Sequence, residues 1–567
     1  MFKKNTAHVQ KDLFGFFNTL PASMQQEIKQ SAEYRFYNTI FCHIPEDIFS
    51  VLYSEKKSRP NAPINCMVSA LILMQRNHWT YEQLFQAMKF NLLTKIALGL
   101  DQLGDVPFSP ATIFNFQNRL NKHYIETGEN LLEHVFDHLT QKQLKTLKLK
   151  TNIQRTDSFL AASNMRNYSR LQLLVEMIIR IYRVLSDEDQ QRFQDQFGDY
   201  IKQTSGQYIY RLKASDVPHE LEKIAELYVW IKENLYDAYE TYEIFQIFQR
   251  VYTEHFTVVK DKITVKSSDQ LSSGCVQSPD DIDATFRDKN GKKSTGQSIH
   301  VTETAHPDNP VNLLTDVAVK ANNIDDSQVL HERIDHIKEK TPDLDELHFD
   351  GGYGSSDNDQ KFEEHGITPV QTAIRGREAA VTITIEKTAD NEYIVSCPLQ
   401  TKKSQKARKR YKVQFDHSVC RQCPFHSQCP ARETKTHRVY YFTEADYLKK
   451  KRLHSIDKIP PERRTLRHNV EATVNEFTCK FHRKKLKVRG AFKAAIFAYS
   501  VAISVNFGRI YRFIQNNPEI VKELFLFSLF FIKEHRKKSY FQNVFRFLLS
   551  IFEKISPALP QNAKLAV

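Results

Sequence analysis

Three acidic residues in this chain have surroundings that could support chemistry. Asp157 lies in "RTDS", Asp350 follows "HF" and precedes a glycine-rich turn, and Glu471 lies in "RHNVEATVNEF". Mg²⁺ prefers oxygen ligands and is often held by one or two carboxylates together with phosphate oxygens of a substrate. Two such ions about 4 Å apart can activate an attacking oxygen and stabilise a leaving one. These residue types therefore indicate metal-assisted phosphodiester chemistry, provided that the fold brings them together.

Each aspartate taken alone also has a simpler interpretation. A single Asp after an apolar run most often forms a turn or caps a helix. Both residues, however, come at what the pattern predicts to be the carboxyl ends of strands, where ligands commonly bind in α/β sheets. We therefore expect Asp157 and Asp350 to end neighbouring strands of one sheet.

The third carboxylate is expected from a long helix predicted over about 462–485. Its apolar stripe consists of Val470, Val474, Phe477 and Phe481. At helical spacing Glu471 lies roughly 90° from the centre of this stripe, one turn after Arg467. Glu476 lies roughly 130° away on the opposite flank and faces water. A residue at the border of the buried face leans into a cleft more easily, so Glu471 is preferred over Glu476.

The elements that must position these carboxylates follow from periodicity and capping signals. Residues 1–143 are predicted to be helical, with a capping box at Thr80–Gln83 and an N-cap at Ser109 before Pro110. Short capped helices suit a helix-turn-helix-like DNA-binding unit or an ordinary helical bundle. From about Leu144 apolar and polar residues alternate as far as Asp157, which predicts a strand.

Residues 144–515 are predicted to form one mixed α/β domain. Strand and helix patterns alternate between 283 and 374, with Asn290-Gly291 as a hairpin turn. Two segments interrupt this pattern, a helical block at about 168–260 and a basic, cysteine-containing segment at 376–461. An apolar helix at 489–514 is expected to pack under the sheet, and 516–567 is predicted to be a helical tail. The expected architecture is a mixed sheet with helices on its faces.

Four cysteines cluster in the basic segment: Cys397, Cys420, Cys423 and Cys429. A C-x-x-C pair with two further thiols is a common tetrahedral Zn²⁺ site, and His417 and His426 are substitute ligands. Reduced cysteines without metal are the alternative. The other four cysteines are scattered and are expected to be small core residues.

Composition limits the class of protein. The chain has 567 residues, of which 41% are apolar and 26% charged, which is typical of a globular protein with two or more domains. The formal net charge of +13 suits a polyanionic partner such as nucleic acid, although a basic protein without such a partner remains an alternative. We see no signal peptide, and the apolar run 524–532 is about half the length of a membrane span. The expected compartment is the cytoplasm, in association with the nucleoid.

The combination of motifs resembles the DDE transposases of bacterial insertion sequences. The stretches "RTDS", "HFDGGYGS" and "LRHNVEATVNEF" are similar to the acidic signature of that family. "SPDDIDATFRDKNGKKSTGQSIHVTETAHPDNP" and "KVRGAFKA" agree with it. The helical stretch from "WTYEQLFQAMKF" to "SPATIFNFQNRL" resembles the domain that precedes the catalytic core in many such enzymes. The resemblance covers roughly residues 40–515.

This resemblance implies an RNase H-like core with Asp157, Asp350 and Glu471 as catalytic, metal-binding triad. It implies two Mg²⁺ or Mn²⁺ ions, cleavage of DNA at terminal inverted repeats, strand transfer to target DNA, and a homodimer or larger assembly at synapsis. Arg467 matches the arginine of the family's R-x-x-x-E pattern. The usual lysine seven residues after the glutamate is replaced by Thr478, with Lys480 nearby.

DNA contacts are expected from Arg467, Lys480, Lys485 and Arg489. The alternative function is a decayed or co-opted DNA-binding protein that has kept the same fold.

Overall fold

The structure is a computed structural model that describes residues 1–9, 14–56, 59–259, 262–289, 291–372, 381–388, 392–456 and 458–517. The predicted helical tail and the apolar run 524–532 lie outside the described residues, apart from the first two tail positions. Within them the fold is mixed α/β with a helical N-terminal region, as the sequence predicted.

The regular elements of the described N-terminal region are helices. They are α1 (Phe16–Thr19), α2 (Ala22–Gln30), α3 (Ala32–Thr39), α4 (Ile64–Arg76), α5 (Tyr81–Phe90), α6 (Leu92–Ala97), α7 (Pro110–Thr127) and α8 (Leu131–Thr146). Both predicted caps are confirmed. Thr80 and Gln83 form a reciprocal capping box on α5, and Ser109 accepts from the Thr112 N–H with Pro110 in the first turn of α7.

The central sheet has six strands. They are β1 (Ile153–Ala162), β4 (Thr285–Lys289), β5 (Lys292–Thr304), β6 (Leu314–Ala321), β7 (Glu346–Phe349) and β8 (Thr368–Gln371), while β2 (Phe256–Val259) and β3 (Lys262–Val265) form a separate hairpin. The order is β4-β5-β1-β7-β8, and β6 also pairs with β5. β5 runs antiparallel to β1, β4 and β6, whereas β1, β7 and β8 are parallel. The predicted hairpin between β4 and β5 is confirmed.

The start of the first strand was predicted wrongly. α8 continues to Thr146 and β1 begins only at Ile153. The alternation of Leu147 and Leu149 arises in an irregular segment, in which Lys148 has a φ of 50°. Leu149 is buried against Leu144 and Leu313, so tertiary packing produced the apolar pattern there.

Helices occupy the long connection from β1 to β4. They are α9 (Arg170–Val184), α10 (Asp187–Phe197), α11 (Ser205–Tyr210), α12 (Val217–Asn234), α13 (Tyr236–Tyr239) and α14 (Glu243–His255). Their apolar faces form a core of their own around Ile178, Tyr228 and Phe248. α15 (Asp326–Lys340) and α16 (Ser356–His365) connect the later strands, and Gly366 ends α16 in a left-handed conformation.

The cysteine-containing segment forms two small sheets and two helices. These elements are β9 (Thr384–Lys387), β10 (Tyr393–Ser396), β11 (Thr401–Lys403), β12 (Gln405–Ala407), β13 (Arg410–Asp416), α17 (His417–Arg421), β14 (Arg432–Glu433), β15 (His437–Phe442) and α18 (Glu444–Ile456). The following helix is shorter than predicted and is divided at Asn469 into α19 (Pro461–His468) and α20 (Val470–Thr478). It does not continue to 485, because a tight turn follows.

The last described helix, α21 (Ala491–Asn516), lies in the largest apolar core. That core contains α4, residues of β1, β5 and β6, and Val470 and Phe477 of α20. Asn506 fastens α21 to the sheet, since its side chain bonds both the N–H and the carbonyl oxygen of Leu314. α21 therefore holds the helical N-terminal region and the sheet together, as its predicted position under the sheet requires.

Candidate active site

The parallel pairing of β1 with β7 aligns the two predicted aspartates. Arg155 lies opposite His348 in this register, and two residues further along each chain are Asp157 and Asp350. Asp350 follows β7 directly, as predicted, but Asp157 does not end its strand, because β1 continues to Ala162. The aspartates are therefore neighbours at the point where β7 ends and β1 continues, paired with β5 on its other side.

Backbone N–H groups fix one oxygen of each carboxylate. Ser158 donates to Oδ1 of Asp157, and Gly352 donates to Oδ1 of Asp350, both at 2.8 Å. The two Oδ2 atoms face the same cationic nitrogen, Nη2 of Arg467, at 2.9 Å from Asp157 and 3.9 Å from Asp350. Arg467 is therefore the positive charge that the two carboxylates share.

The electrostatics of the pair favour a further cation. Burial raises the pKa of Asp157 above its ordinary value. Arg467 and the Ser158 N–H oppose this rise, whereas the carboxylates of Asp350 and Asp326 add to it. The Asp157 side chain is 13% exposed and that of Asp350 33% exposed, so the pair opens to solvent on the Asp350 side. A hard cation entering there would relieve the repulsion between ionised carboxylates.

The two candidate glutamates of α20 differ in their contacts. Glu471 is exposed, and among the described residues its carboxylate has no hydrogen bond or ion pair. It lies one helical turn after Arg467, which contacts Asp157. The sequence placed Glu476 in water, and this was wrong: it is half-buried and pairs with Arg509 and Arg512 of α21 at 2.7 and 2.9 Å. Glu476 therefore joins α20 to α21, while Glu471 remains free to bind.

Three of the cationic residues expected to contact DNA are engaged within the protein. Lys480 donates to the carbonyl oxygen of Arg76 at 3.0 Å, and its pKa is lowered by burial. Lys485 donates to the carbonyl oxygen of Met165, and Arg489 to that of Asn164. These three side chains connect the segment after α20 to its neighbours, so their predicted role in DNA binding competes with a structural one.

The basic run 449–452 likewise serves internal contacts. Arg452 is buried and pairs with Asp359 of α16, Lys451 pairs with Glu363, and Lys450 donates to the carbonyl oxygen of Ile383. The run therefore holds α18 against α16 and β9.

Two exposed cations occupy the tip of the tight turn after α20. His482 and Lys485 exchange two backbone hydrogen bonds of 2.9 Å around Arg483 and Lys484. The φ angles of Arg483 and Lys484 are 49° and 64°, which is the pattern of a type I′ turn. The turn is joined to β1, because the Leu486 N–H donates to the carbonyl oxygen of Ala162.

Sequence reasoning missed a third carboxylate beside the pair. Asp326, in the first turn of α15, has a side chain that is 9% exposed, and it accepts from the Ser158 hydroxyl at 3.0 Å. Locally it follows the N-cap Asp325 and resembles an ordinary first-turn acid. Only the tertiary packing of α15 against β6, α16 and the turn at Gly351–Tyr353 brings it to the site, so nothing in the sequence pattern singled it out.

The four clustered cysteines line one cavity. Cys397 follows β10, Cys420 belongs to α17, and Cys423 and Cys429 follow α17, so the cavity lies between the two small sheets. Burial raises the pKa of the Cys420 thiol, and the neighbouring Cys397 and Cys429 raise it further. His417 instead bonds Glu433 at 2.8 Å. The four thiols are therefore a better ligand set for Zn²⁺ than a set in which His417 replaces one of them.

One group of side chains in the described part of the chain has donor atoms at the spacing of a metal site. Donor atoms of Glu133, Asp316 and His336 lie within 4.8 Å of one another, and the four thiols are not drawn together to that extent. The guanidinium of Arg333, however, pairs with both Glu133 and Asp316. These ion pairs connect α15 to α8 and β6, and we assign the cluster to that structural role.

Comparison with protein families gives two matches. Residues 392–511 match a transposase DDE domain, and residues 24–119 match a transposase domain of otherwise undefined function. The two matches indicate a DDE-type insertion-sequence transposase. The DDE match contains Arg467 and Glu471, whereas Asp157 and Asp350 lie outside both matched ranges. The link of the aspartates to the transposase site therefore depends on their geometry.

No curated protein and no solved structure matches the chain. Among the described helices of the chain, α21 is long and apolar enough to cross a membrane. Its most apolar window is 72% buried inside the protein, which is the property of a core helix.

Proposed function

We propose that the chain cleaves the DNA ends of an insertion sequence and transfers them to target DNA, with Asp157, Asp350 and Glu471 as its catalytic residues. One observation carries this proposal. The Oδ2 atoms of Asp157 and Asp350, from adjacent parallel strands, face one cationic nitrogen. The two carboxylates converge on one point and open to solvent on the Asp350 side, so a divalent metal can reach them.

The order of the sheet supports an RNase H-like core. β6, β5 and β1 are antiparallel neighbours, and β7 and β8 continue from β1 in parallel. Counted in chain order, β1 is the first of these five strands and carries Asp157. β7 is the fourth, and Asp350 follows it. The glutamate comes from a later helix that packs on β1 through the ring contact of Phe477 with Phe159.

We propose that this site takes two Mg²⁺ or Mn²⁺ ions, because Asp157 and Asp350 converge there and Glu471 lies one helical turn after Arg467. Asp157 and Asp350 would hold them through Oδ2, and Glu471 would supply a further oxygen from α20. Bound there, the ions supply activation of the attacking oxygen and stabilisation of the leaving one. The Ser158 and Gly352 N–H groups keep each Oδ1 in place. Arg467 neutralises the carboxylates and is positioned to bind the phosphate that is cut.

DNA binding is supported by two exposed cations beyond the far end of β1. Arg483 and Lys484 project from the end of the sheet, about 17 Å along β1 from Asp157. Phosphate contacts made by such side chains weaken with rising salt. We propose that the helical N-terminal region recognises the terminal inverted repeats, and that the chain acts as a homodimer or larger assembly when two ends are paired.

Cleavage of end DNA by the purified full-length chain tests the function. With Mg²⁺, duplex DNA carrying the inverted repeats of the element that encodes the chain is expected to be cut at the repeat boundary. A shuffled repeat of the same length is the matched substrate control. Binding without cleavage at every Mg²⁺ and Mn²⁺ concentration would instead support a decayed DNA-binding protein.

We also propose that Cys397, Cys420, Cys423 and Cys429 bind one structural Zn²⁺. Thiolates at this cavity would join β10 of one small sheet to α17 and the loop after it. Tetrahedral zinc binding would require the four sulfur atoms to lie closer together than they do here. The ion would thereby fix the two small sheets to each other.

Elemental analysis of the purified protein is expected to give about one zinc per chain and none in a Cys420→Ser variant. Cys479→Ser is the matched control, because Cys479 is exposed and distant in sequence from the cluster. Zinc removal by a chelator should lower the melting temperature of the wild type and leave that of Cys420→Ser unchanged. Equal zinc contents in wild type and Cys420→Ser would contradict the assignment.

A further inference from the structure

Asp326 is a buried carboxylate that the proposed chemistry does not use. It lies at the start of α15, and its Oδ2 is 3.8 Å from Nη2 of Arg287. Its contacts toward the catalytic aspartates run through two intermediate residues, Ser158 and Gly352.

The first of these contacts runs through Ser158. The Ser158 hydroxyl donates to Oδ1 of Asp326 at 3.0 Å. The backbone N–H of the same serine donates to Oδ1 of Asp157 at 2.8 Å. Asp326 thus holds the residue that orients the first catalytic carboxylate.

The second contact runs through Gly352. Oδ2 of Asp326 and Oδ1 of Asp350 lie 3.3 and 3.0 Å from the point where a Cβ on Gly352 would stand. A side chain at this position would therefore press on both carboxylates. The Gly352 N–H donates to Oδ1 of Asp350, so Asp326 packs against the residue that orients the second catalytic carboxylate.

We propose that Asp326 is a positioning residue that holds Ser158 and the Gly352 turn, so that both catalytic Oδ2 atoms stay aimed at one cation. The inference rests on the function proposed above. Asp326 would act through the placement of its carboxylate oxygens, because the hydrogen bond to Ser158 and the packing on Gly352 need an oxygen there rather than a net charge. Partners of this kind around metal ligands are typically worth 10- to 100-fold in metal affinity.

Mn²⁺ binding to the full-length chain without DNA, measured by electron paramagnetic resonance, tests the inference. Asp326→Ala and Ser158→Ala are expected to raise the Kd for Mn²⁺ by about 10- to 100-fold. Asp326→Asn keeps an oxygen for the Ser158 hydroxyl and should bind Mn²⁺ almost as the wild type does. Asp335→Ala is the matched control on the same helix, since Asp335 is 59% exposed and faces Lys361 and His365.

Unchanged Mn²⁺ affinity in Asp326→Ala would overturn the inference. So would an Asp326→Asn variant as weak as Asp326→Ala, because charge would then be the cause. If Asp326→Ala does not fold, Ser158→Ala decides, and wild-type affinity in it overturns the inference. Failure of the proposed function looks different: the wild type would bind no Mn²⁺, or Asp157→Asn would bind it unchanged.

Discussion

Asp157→Asn and Asp350→Asn are each expected to abolish Mg²⁺-dependent cleavage of end DNA, with a rate loss of more than about 100-fold. Asparagine keeps the shape of the side chain and an oxygen for the Ser158 or Gly352 N–H, but it removes the charge that binds the cation. Even partners that only support a metal ligand are worth 10- to 100-fold, so loss of the ligand itself should cost more. A gel-based cleavage assay measures the rate, and binding of the same DNA should survive.

Asp157→Asn carries a second expected result that separates function from stability. Because burial raises the pKa of Asp157 in the folded state, its ionised form opposes folding above that pKa. A neutral asparagine removes this cost, so the metal-free variant should melt at the same or a higher temperature than wild type at pH 7. The difference should shrink as the pH falls through the pKa of Asp157. Asp335→Asn is the exposed control, and wild-type cleavage in either catalytic variant contradicts the proposed site.

Glu471→Gln and Glu476→Gln are expected to fail in opposite ways. Glu471 is exposed and without partners in the described structure, so its substitution should stop cleavage and leave the melting temperature unchanged. Glu476 pairs with Arg509, whose side chain is 12% exposed, so its substitution should lower the free energy of unfolding by about 1–2 kcal/mol. Cleavage per folded molecule should then stay near the wild-type rate.

The two glutamates are five residues apart on one helix, and each variant serves as the control for the other. Thermal unfolding and end cleavage measured on the same preparations give both readouts. Loss of cleavage only in Glu476→Gln would show that the wrong helical face was chosen. Loss in both variants with unchanged stability would mean that Glu476 leaves Arg509 to reach the site.

Local signals in the sequence were sufficient for much of this fold. The caps at Thr80 and Ser109 and the strand that ends at Asp350 depend on neighbours within a few residues, and each lies where it was predicted. The helical face of Val470 and Phe477 is also buried as expected. Short-range hydrogen bonding and periodicity decide these features, so the sequence carries them directly.

Long-range packing decided the features that were missed. Glu476 pairs with Arg509, which lies on a helix more than thirty residues later in the chain. Asp326 on α15 bonds Ser158 on β1. The alternation near Leu149 reflected burial against Leu313 rather than a strand. Lysines such as Lys480 were counted as free surface, although backbone carbonyl groups of distant segments bind them.

The turn of Arg483 and Lys484 has an energetic consequence for this chain. Two-residue turns of its type favour Asn-Gly, because both central residues need a positive φ. Side chains with a Cβ lose about 1–2 kcal/mol each in this conformation. A chain selected for stability alone would therefore carry Asn-Gly between His482 and Lys485. Arg483 and Lys484 therefore lower the free energy of unfolding of the chain but place two positive charges at an exposed tip. A variant with Asn-Gly at these two positions should melt at a higher temperature and bind DNA more weakly.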